Sequence, residues 1–144
     1  MEVRDTELDQ FSVVNNNVYG YYMQHGRHKA LKALGAGVGE YQARGILMAL
    51  SELSIKYKTP LRSGDVFRVD TSVEQVTAAR LVMRQAVVRE DAGGRKLSLC
   101  AEGLATVVFL DTAYRPIRLP AGEKAVFEAL RQQAAAAAGG NGTD

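Results

Sequence analysis

The hydrophobic pattern of the chain changes once, from helical to strand-like, and this change limits the folds open to it. Across residues 16–34 most apolar side chains recur every three or four positions, which is typical of an amphipathic helix. Asparagines that can cap a helix precede the run, and Gly35 favours its end. We therefore predict a helix of about five turns. Its apolar arc omits Tyr21 and Leu31 and contains Val18, Tyr19, Tyr22, Met23, Gly26, Ala30, Ala33 and Leu34.

After Gly45 the pattern predicts antiparallel strands. Residues 46–57 fit a helix or a strand, but the alternation of Leu53, Ile55 and Tyr57 with polar neighbours favours a strand. Residues 66–74 alternate clearly, and further strands are predicted at residues 81–89 and 96–110, with a hairpin loop at residues 91–94. In the second strand we expect one face to carry Val66, Arg68, Asp70, Ser72 and Glu74, and the other Phe67, Val69, Thr71 and Val73.

The last predicted strand has a face with small residues at its centre. That face is expected to carry Leu97, Leu99, Ala101, Gly103, Ala105, Val107 and Phe109. The small central side chains would let the long helix lie close to the sheet. A closing helix is predicted at residues 120–130. We assign residues 1–131 to a single domain and expect the alanine- and glycine-rich residues 132–144 to be a disordered tail.

These elements predict an α+β fold, in which one helix covers one face of a sheet and leaves an edge or a face in need of cover. We therefore expect oligomerisation. Hydrophobic residues make up 47% of the chain and charged residues 24%, as in soluble globular proteins. The formal net charge of +2 gives no electrostatic footprint for nucleic acid, and no apolar run approaches the roughly 20 residues that span a bilayer.

Cysteine and histidine offer little chemistry in this sequence. Cys100 is the single cysteine, so an intrachain disulfide is excluded, and we expect it to pack on the strand face that carries Ser98 and Glu102. His25 and His28 lie three residues apart without a nearby cysteine or acid to complete a ligand set, which predicts a solvated pair and no metal site.

Polar residues concentrate between positions 9 and 17, just before the predicted helix. Asp9 lies seven residues before Asn16, where the first turn offers unpaired backbone N–H groups and a partial positive charge. Such donors can polarise a carbonyl, and the carboxylate can act on its carbon directly or through water. An aspartate in a loop before a helix is otherwise a cap or a turn former.

The sequence of residues 8–19, Leu-Asp-Gln-Phe-Ser-Val-Val-Asn-Asn-Asn-Val-Tyr, resembles the D-x-x-x-x-V-N-N-x-x-Y signature of hotdog-fold thioesterases of the 4-hydroxybenzoyl-CoA thioesterase class. Residues 24–28, 49–54, 60–65 and 114–118 are similar to plant and algal acyl-lipid (acyl-ACP) thioesterases, which release fatty acids or 3-keto acids from acyl carrier protein. The resemblance extends from about residue 3 to residue 127. It implies a hotdog fold, a homodimer that assembles further to a homotetramer, and a site between two subunits.

The resemblance also implies roles for residues near the start of the helix. Asp9 matches the catalytic carboxylate, Asn16 the residue whose backbone N–H holds the thioester oxygen, and Asn15 a residue that orders the loop or a water. Many relatives have histidine where this chain has Val13 or Val14. Whether Asp9 attacks as a nucleophile or activates water is therefore left open.

A second carboxylate, Glu52, is expected on a strand face with Met48 and Leu50. Two roles are open to it. Glu52 is either catalytic, or it pairs with a basic neighbour such as Arg27 across the subunit boundary.

An acyl chain would need an apolar tunnel, for which the candidates are Tyr19, Tyr22, Met23, Met48 and Leu50, although such residues more often form core. The candidates for binding the substrate's phosphate or an acidic carrier protein are Lys56, Lys58, Arg62, Arg115 and Arg118, of which Arg62 is assigned to substrate binding; a solvated face is the alternative for all five.

We thus expect a thioesterase that hydrolyses fatty acyl- or 3-ketoacyl-ACP, or acyl-CoA, without cofactor or metal. The alternatives are a non-catalytic acyl-binding hotdog protein and a thioesterase of polyketide or naphthoyl-CoA metabolism. A dehydratase fits poorly, because both histidines lie well after Asp9. The resemblance implies the chloroplast stroma for a plant or algal protein, after removal of a transit peptide, and the cytoplasm otherwise.

Overall fold

A computed structural model describes residues 1–11, 13–33, 35–91 and 96–141 of the protein, with side chains as far as residue 132. A single 3-10 turn at Asp5–Glu7 precedes the main elements. These follow in the order α1 (Asn16–Ala33), α2 (Val38–Ala43), β1 (Leu47–Tyr57), β2 (Val66–Val76), β3 (Arg80–Glu90), β4 (Leu97–Leu110) and α3 (Ala121–Asn141).

The four strands form one antiparallel sheet in the order β1-β4-β3-β2, so β1 and β2 are its edges. The predicted α+β class is confirmed, and so are the four strands and the long helix. The predicted alternation of β2 is also confirmed, because Phe67, Val69, Thr71 and Val73 share one face in the register with β3. Leu34, predicted to end the helix, and loop residues 92–94 lie outside the described residues.

Helix α1 lies against one face of the sheet at a distance that two glycines set. A Cβ atom on Gly103 of β4 would come within 2.6 Å of the sulfur of Met23, and one on Gly26 within 2.7 Å of Cγ1 of Val69. The predicted close approach of the helix to the small residues of β4 is therefore confirmed. Leu31, expected outside the apolar arc, is buried with 3% of its surface exposed.

The expected faces of β4 are wrong before Ala101. The register with β3 shifts between Val87 and Val88, which pair with Ala101 and Leu99, so Cys100 is an extra residue in a β-bulge. Because strand side chains alternate, one extra residue exchanges the two faces. As a result, Leu97 and Leu99 are exposed. Cys100 is fully buried and does not lie on the face expected for it. Its predicted role as a packing residue is nevertheless confirmed.

The core consists of two groups of buried residues. One lies under the first half of α1 and joins it to the amino-terminal residues and to the loop after β1; it includes Val14, Tyr19, Leu61 and Phe67. The other lies under the end of α1, α2 and α3. The first group anchors the segment in which the polar residues of the amino-terminal motif lie.

Two helices differ from expectation. The six-residue helix α2 was not predicted, and its anchor is the buried Tyr41. Helix α3 continues to Asn141 and includes residues 132–141, which were expected to be disordered. Five consecutive alanines account for the difference, because alanine has the highest helix propensity. Residues 142–144 lie outside the described residues, and the single-domain assignment stays a prediction.

Candidate active site

The amino-terminal motif forms a small hairpin that ends at the start of α1. Leu8 and Val14 form an antiparallel bridge. On either side of it, the Asp9 N–H donates to the Val13 carbonyl at 2.8 Å, and the Asn15 N–H donates to the Glu7 carbonyl at 2.9 Å. The hairpin is tied to the loop after β1, because the Val14 N–H donates to the Leu61 carbonyl at 2.8 Å. Asp9 is thus held next to the strand that leads directly into the helix.

The Asp9 carboxylate organises the tip of this hairpin. Its Oδ1 accepts the N–H of Phe11 at 2.8 Å and the N–H of Val13 at 3.5 Å. The turn-forming role considered from the sequence is therefore present in the structure. Both bonds use the same oxygen, and among the bonds between described residues Oδ2 accepts none. A carboxylate oriented through one oxygen keeps the other for a ligand.

Asn15 caps helix α1 with both its side chain and its carbonyl. Its side-chain Oδ1 accepts the Asn17 N–H at 3.0 Å, and its carbonyl accepts the Val18 N–H at 2.9 Å. The Asn16 N–H has no acceptor within the part of the chain that the structure describes. This donor lies at the positive end of the helix dipole, where an anionic or polarised oxygen is stabilised.

A cavity of about 160 Å³ opens at the start of α1, with Asn16 but not Asp9 among its lining residues; we call it the helix-start cavity. It is lined by Val13, Val14, Asn16, Tyr19, Tyr57, Lys58, Thr59 and Pro60. The Tyr57 hydroxyl donates to the Asn16 carbonyl at 3.2 Å, and its ring packs edge-on against Tyr19 with centroids 5.4 Å apart. The sequence analysis did not select Tyr57 as a site residue, although its position at the end of a predicted strand just before Pro60 was a usable signal.

Two tyrosines beneath the cavity, Tyr19 and Tyr22, have a structural role in this chain. The Tyr19 hydroxyl accepts the Leu61 N–H at 3.3 Å, and burial raises the pKa of Tyr19. Burial also raises the pKa of Tyr22, and the nearby Glu7 carboxylate raises it further. Both phenols therefore remain neutral at physiological pH.

The predicted acyl-tunnel residues do not form one group in a single chain. Tyr22 and Met23 are buried in the core beneath α1, with Tyr19, the member of the set that also lines the helix-start cavity. Met48 packs against the other core group, whereas Leu50 is 47% exposed on edge strand β1. Their role as an acyl tunnel stays a prediction.

The expected position of Glu52 is wrong, because β1 contains a bulge. Leu50 pairs with Val107 and Glu52 with Thr106, so Ser51 is the extra residue, and Glu52 points to the face opposite that of Met48 and Leu50. Glu52 is also five residues from Tyr57, or about 17 Å along the strand. Within one chain Glu52 therefore lies well away from the end of β1 that lines the helix-start cavity.

The proposed partner of Glu52 is also engaged elsewhere. Arg27 is buried, with 5% of its surface exposed, and its Nη1 donates to Oε1 of Gln85 at 2.9 Å. Gln85 in turn donates from Nε2 to the Met23 carbonyl at 2.8 Å and to Oγ1 of Thr71 at 3.1 Å. Arg27 is therefore part of the helix–sheet interface, and burial lowers its pKa.

The basic residues near the cavity are exposed. Arg62 forms a backbone bridge with Val13, and Lys58 lines the cavity itself. In the described parts of the chain, no three histidine, cysteine or acidic side chains come together as a metal-ligand set. No helix within the same parts is long and apolar enough to cross a membrane.

Comparison with known proteins identifies the family of the chain. The family model described as "Thioesterase-like superfamily" matches residues 3–134, which include both the hairpin and the whole sheet. The chain belongs to this superfamily. Two curated relatives from Arabidopsis thaliana are the acyl-acyl carrier protein thioesterases ATL3 and ATL2, both named as chloroplastic. They are 42% and 40% identical over 127 residues, which are 88% of this chain and 65% of each relative. The chain thus spans slightly less than two thirds of the length of these relatives.

Solved structures of other proteins share the fold. A hypothetical protein from Thermus thermophilus, TT1821, superposes with a TM-score of 0.79 at 28% identity, over 90% of this chain and 95% of that one. The DHNA-CoA thioesterase from Staphylococcus aureus superposes with a TM-score of 0.74 at 23% identity, over 83% and 77% of the two chains. The fold is therefore the hotdog fold that the resemblance implied.

Proposed function

We propose that the protein hydrolyses acyl thioesters, with the Asp9 carboxylate and the Asn16 amide acting on the same carbonyl. The observation that carries this proposal is the hairpin, which orients the Asp9 carboxylate through one oxygen and leads directly into α1, where the first-turn amide of Asn16 has no acceptor among the described residues. The Asn16 N–H and the positive end of α1 would stabilise the negative charge that develops on the thioester oxygen. The second oxygen of Asp9 would meet the carbonyl carbon or a water beside it.

Two routes break the C–S bond with this arrangement. In the first, Asp9 attacks the carbonyl carbon, the thiolate leaves, and water hydrolyses the resulting mixed anhydride. In the second, Asp9 takes a proton from water, the hydroxide adds to the carbonyl carbon, and the thiolate leaves and is protonated. Valine at positions 13 and 14 supplies no imidazole for either step. Trapping with hydroxylamine distinguishes the routes, since a hydroxamate at Asp9 requires the anhydride.

The substrate we propose is a fatty acyl or 3-ketoacyl thioester of acyl carrier protein, with CoA as the alternative carrier. The names of the Arabidopsis relatives support the carrier protein, and the exposed Lys58 and Arg62 beside the cavity would attract the phosphate of its pantetheine arm. The same names favour a plastid location. We further propose a homodimer that assembles to a homotetramer, since Leu50 on edge strand β1 and Leu97 and Leu99 on the opposite face of the sheet are exposed.

The chain contains a matched control for the catalytic role of Asp9. Asp111 holds a turn in the same way, because its Oδ1 accepts the N–H groups of Ala113 and Arg115, both at 2.9 Å. Asparagine retains that acceptor and removes the charge at either position. We expect Asp9→Asn to lower kcat by about 10²–10⁴-fold and Asp111→Asn to leave it nearly unchanged. The assay follows thiol release from a panel of acyl-ACP and acyl-CoA thioesters, including aromatic ones.

Full activity of Asp9→Asn would refute the assignment of the carboxylate. A protein that binds acyl thioesters but releases no thiol would instead be a non-catalytic acyl-binding member of the superfamily. Turnover of aromatic CoA thioesters in preference to acyl-ACP would move the substrate to polyketide or naphthoyl-CoA chemistry.

A further inference from the structure

Two cavities lie beside α1 on the side of strand β2, and they meet end to end. The first, of about 410 Å³, lies between residues 25–30 of α1 and residues 68–71 of β2. The second, of about 280 Å³, lies between the end of α1, the middle of β2 and Leu130 of α3. Ala30 and Thr71 line both cavities, so the two form one groove that follows α1 and β2 toward α3. We call it the β2 groove.

The β2 groove is separate from the helix-start cavity. The two share no lining residue. At a rise of roughly 1.5 Å per residue, about 20 Å of α1 separates Asn16 from Lys29, which lines the groove. The helix-start cavity also lies at the Tyr57 end of β1, whereas the groove follows β2 at the opposite edge of the sheet. A ligand in the groove would therefore not contact the Asn16 amide.

The end of the groove nearest α3 is apolar. Its lining includes Val73 and Met83, which are only 9% and 2% exposed. Thr71 and Ser72 contribute the two hydroxyl groups of this lining, and the Thr71 oxygen already accepts a hydrogen bond from Nε2 of Gln85 at 3.1 Å. A hydrocarbon chain suits such a surface, whereas a peptide would leave most of its backbone N–H and C=O groups without partners.

The other end of the groove is cationic. Lys29 is exposed there and forms no ion pair with any residue that the structure describes. His25, one turn earlier on α1, lines the same end. The Arg68 guanidinium also lines it but is already held by Asp70 at 3.0 Å and by Glu90 at 3.4 Å. Lys29 is therefore the cation left for a ligand, with the His25 ring beside it as a hydrogen-bond donor.

The charge pattern of α1 favours an anion at this end. The 18 residues of the helix include no aspartate or glutamate, so nothing on the helix itself balances the charge of Lys29. Lys32 lies one turn further along, and like charges at that spacing destabilise a helix. An anion beside Lys29 would relieve this repulsion. The two ends of the groove together indicate one kind of ligand, a single hydrocarbon chain with an anionic head.

We propose that the β2 groove binds a free long-chain fatty acid, with its carboxylate at Lys29 and its chain extending past Ala30 to Met83. The joined cavities are of the size of small-molecule sites, which enclose roughly 300–1,000 Å³. The single charge of a carboxylate matches the one cation that is left for it. The choice of a fatty acid rests on the proposed function, because hydrolysis of a fatty acyl thioester releases one. Binding itself needs no activity and can be tested without it.

Calorimetric titration of the whole protein with dodecanoate, below its micelle concentration, measures the binding. Lys29→Glu should raise the Kd about tenfold, because it puts an anion where the carboxylate would meet the cation. Lys124→Glu makes the same charge change at an exposed position of α3 and should leave the Kd unchanged.

A second pair of variants tests the apolar end. Ala33→Leu should also raise the Kd about tenfold, because the larger side chain fills the space of the hydrocarbon chain. Ala125→Leu adds the same atoms at an exposed position of α3 and should have no effect. The same Kd in the wild type, Lys29→Glu and Ala33→Leu would overturn the proposal.

Three further probes test the chemistry of the ligand. Dodecanol lacks the charge and should bind about tenfold more weakly than dodecanoate, and acetate lacks the chain and should show no binding. Dodecyl phosphate distinguishes a fatty acid from a phosphorylated lipid with the same chain. Its Kd should be no lower than that of dodecanoate. Clearly tighter binding of the phosphate would overturn the fatty acid as the ligand.

A photoreactive fatty acid locates the site directly. With a diazirine at the end of its chain, it should label the peptide that contains Met83 or Leu130, as identified by mass spectrometry. Labelling at Tyr57 or Leu50 instead would place the acid at the helix-start cavity or on β1 and overturn the proposal. Asp9→Asn should bind dodecanoate as the wild type does. Fatty-acid binding by a wild type that hydrolyses no thioester would refute the proposed function and leave this site standing, whereas hydrolysis without such binding would refute this site alone.

Discussion

Alanine at two glycines of helix α1 should stabilise the protein at one site but not at the other. A Cβ atom on Gly26 would come within 2.7 Å of Cγ1 and 3.0 Å of Cβ of Val69, and a β-branched side chain in a strand cannot turn away from that contact. A Cβ atom on Gly20 would have its nearest neighbour, Cδ2 of Leu53, at 4.0 Å. The same substitution therefore meets a clash at one site and ordinary packing space at the other.

The magnitudes follow from two terms. Replacing glycine by alanine inside a helix stabilises it by about 0.8–1 kcal/mol at either site. Overpacking against Val69 costs about 1–3 kcal/mol at Gly26. Gly20→Ala should thus raise the free energy of unfolding by about 1 kcal/mol, whereas Gly26→Ala should change it by about 0 to −2 kcal/mol. The difference between the two variants isolates the clash.

Urea unfolding at a fixed protein concentration measures this difference, since association would otherwise shift the apparent stability. The double variant Gly26→Ala/Val69→Ala provides the cross-check, because removing both methyl groups of Val69 removes the closer of the two contacts, the one at 2.7 Å. Its stability should exceed the sum of the two single effects by at least about 1 kcal/mol. Equal stabilisation by Gly20→Ala and Gly26→Ala would refute the close helix–sheet contact.

Three other predictions concern buried or partly buried polar groups. Gln85→Leu should destabilise the protein by about 3 kcal/mol in urea unfolding, because it leaves the Arg27 guanidinium without its acceptor, and adding Arg27→Met should recover at least half of that loss. Burial lowers the pKa of His28 below 6.5, and the nearby Arg27 and His25 lower it further, so the unfolded chain takes up the proton at a higher pH than the folded chain does. The free energy of unfolding should therefore fall as the pH drops through 6.5. When it is measured against pH, the variant His28→Asn should show a smaller fall. Burial raises the pKa of the Cys100 thiol, so its reaction with a thiol reagent should follow the rate of unfolding and accelerate in urea; fast reaction of the folded protein would contradict its position in the core.

The sequence predicted those features that depend on local pattern. The helix over residues 16–34 and the alternation in β2 were readable because a single period runs through each. The role expected for the Asn16 amide followed from a resemblance carried by contiguous residues, whereas the hairpin formed by Leu8 and Val14 was not predicted. The six residues of α2 are too few to show a period, and their anchor, Tyr41, is a tertiary contact.

Features that depend on a one-residue change of register were not predictable. The bulges at Ser51 and Cys100 each exchange the two faces of their strand, and neither serine nor cysteine is a residue type that predicts a bulge. This is why Glu52 and Leu99 were placed on the wrong faces. The burial of Arg27 also escaped prediction, because its acceptor, Gln85, lies 58 residues away in the sequence.

The two close helix–sheet contacts at Gly26 and Gly103 also limit the length of any hydrocarbon chain that could lie beneath α1. Where Met23 rests on Gly103 and Gly26 rests on Val69, helix and sheet are in direct contact, and a methylene chain cannot slide between them. If the proposed acyl thioester is the substrate, a long acyl tail would have to leave sideways, toward Leu50 on the outer margin of β1. In the proposed dimer we expect the shape of the gap between the two subunits to set the length limit, so that a substitution at that margin would change the products without altering the fold of either subunit.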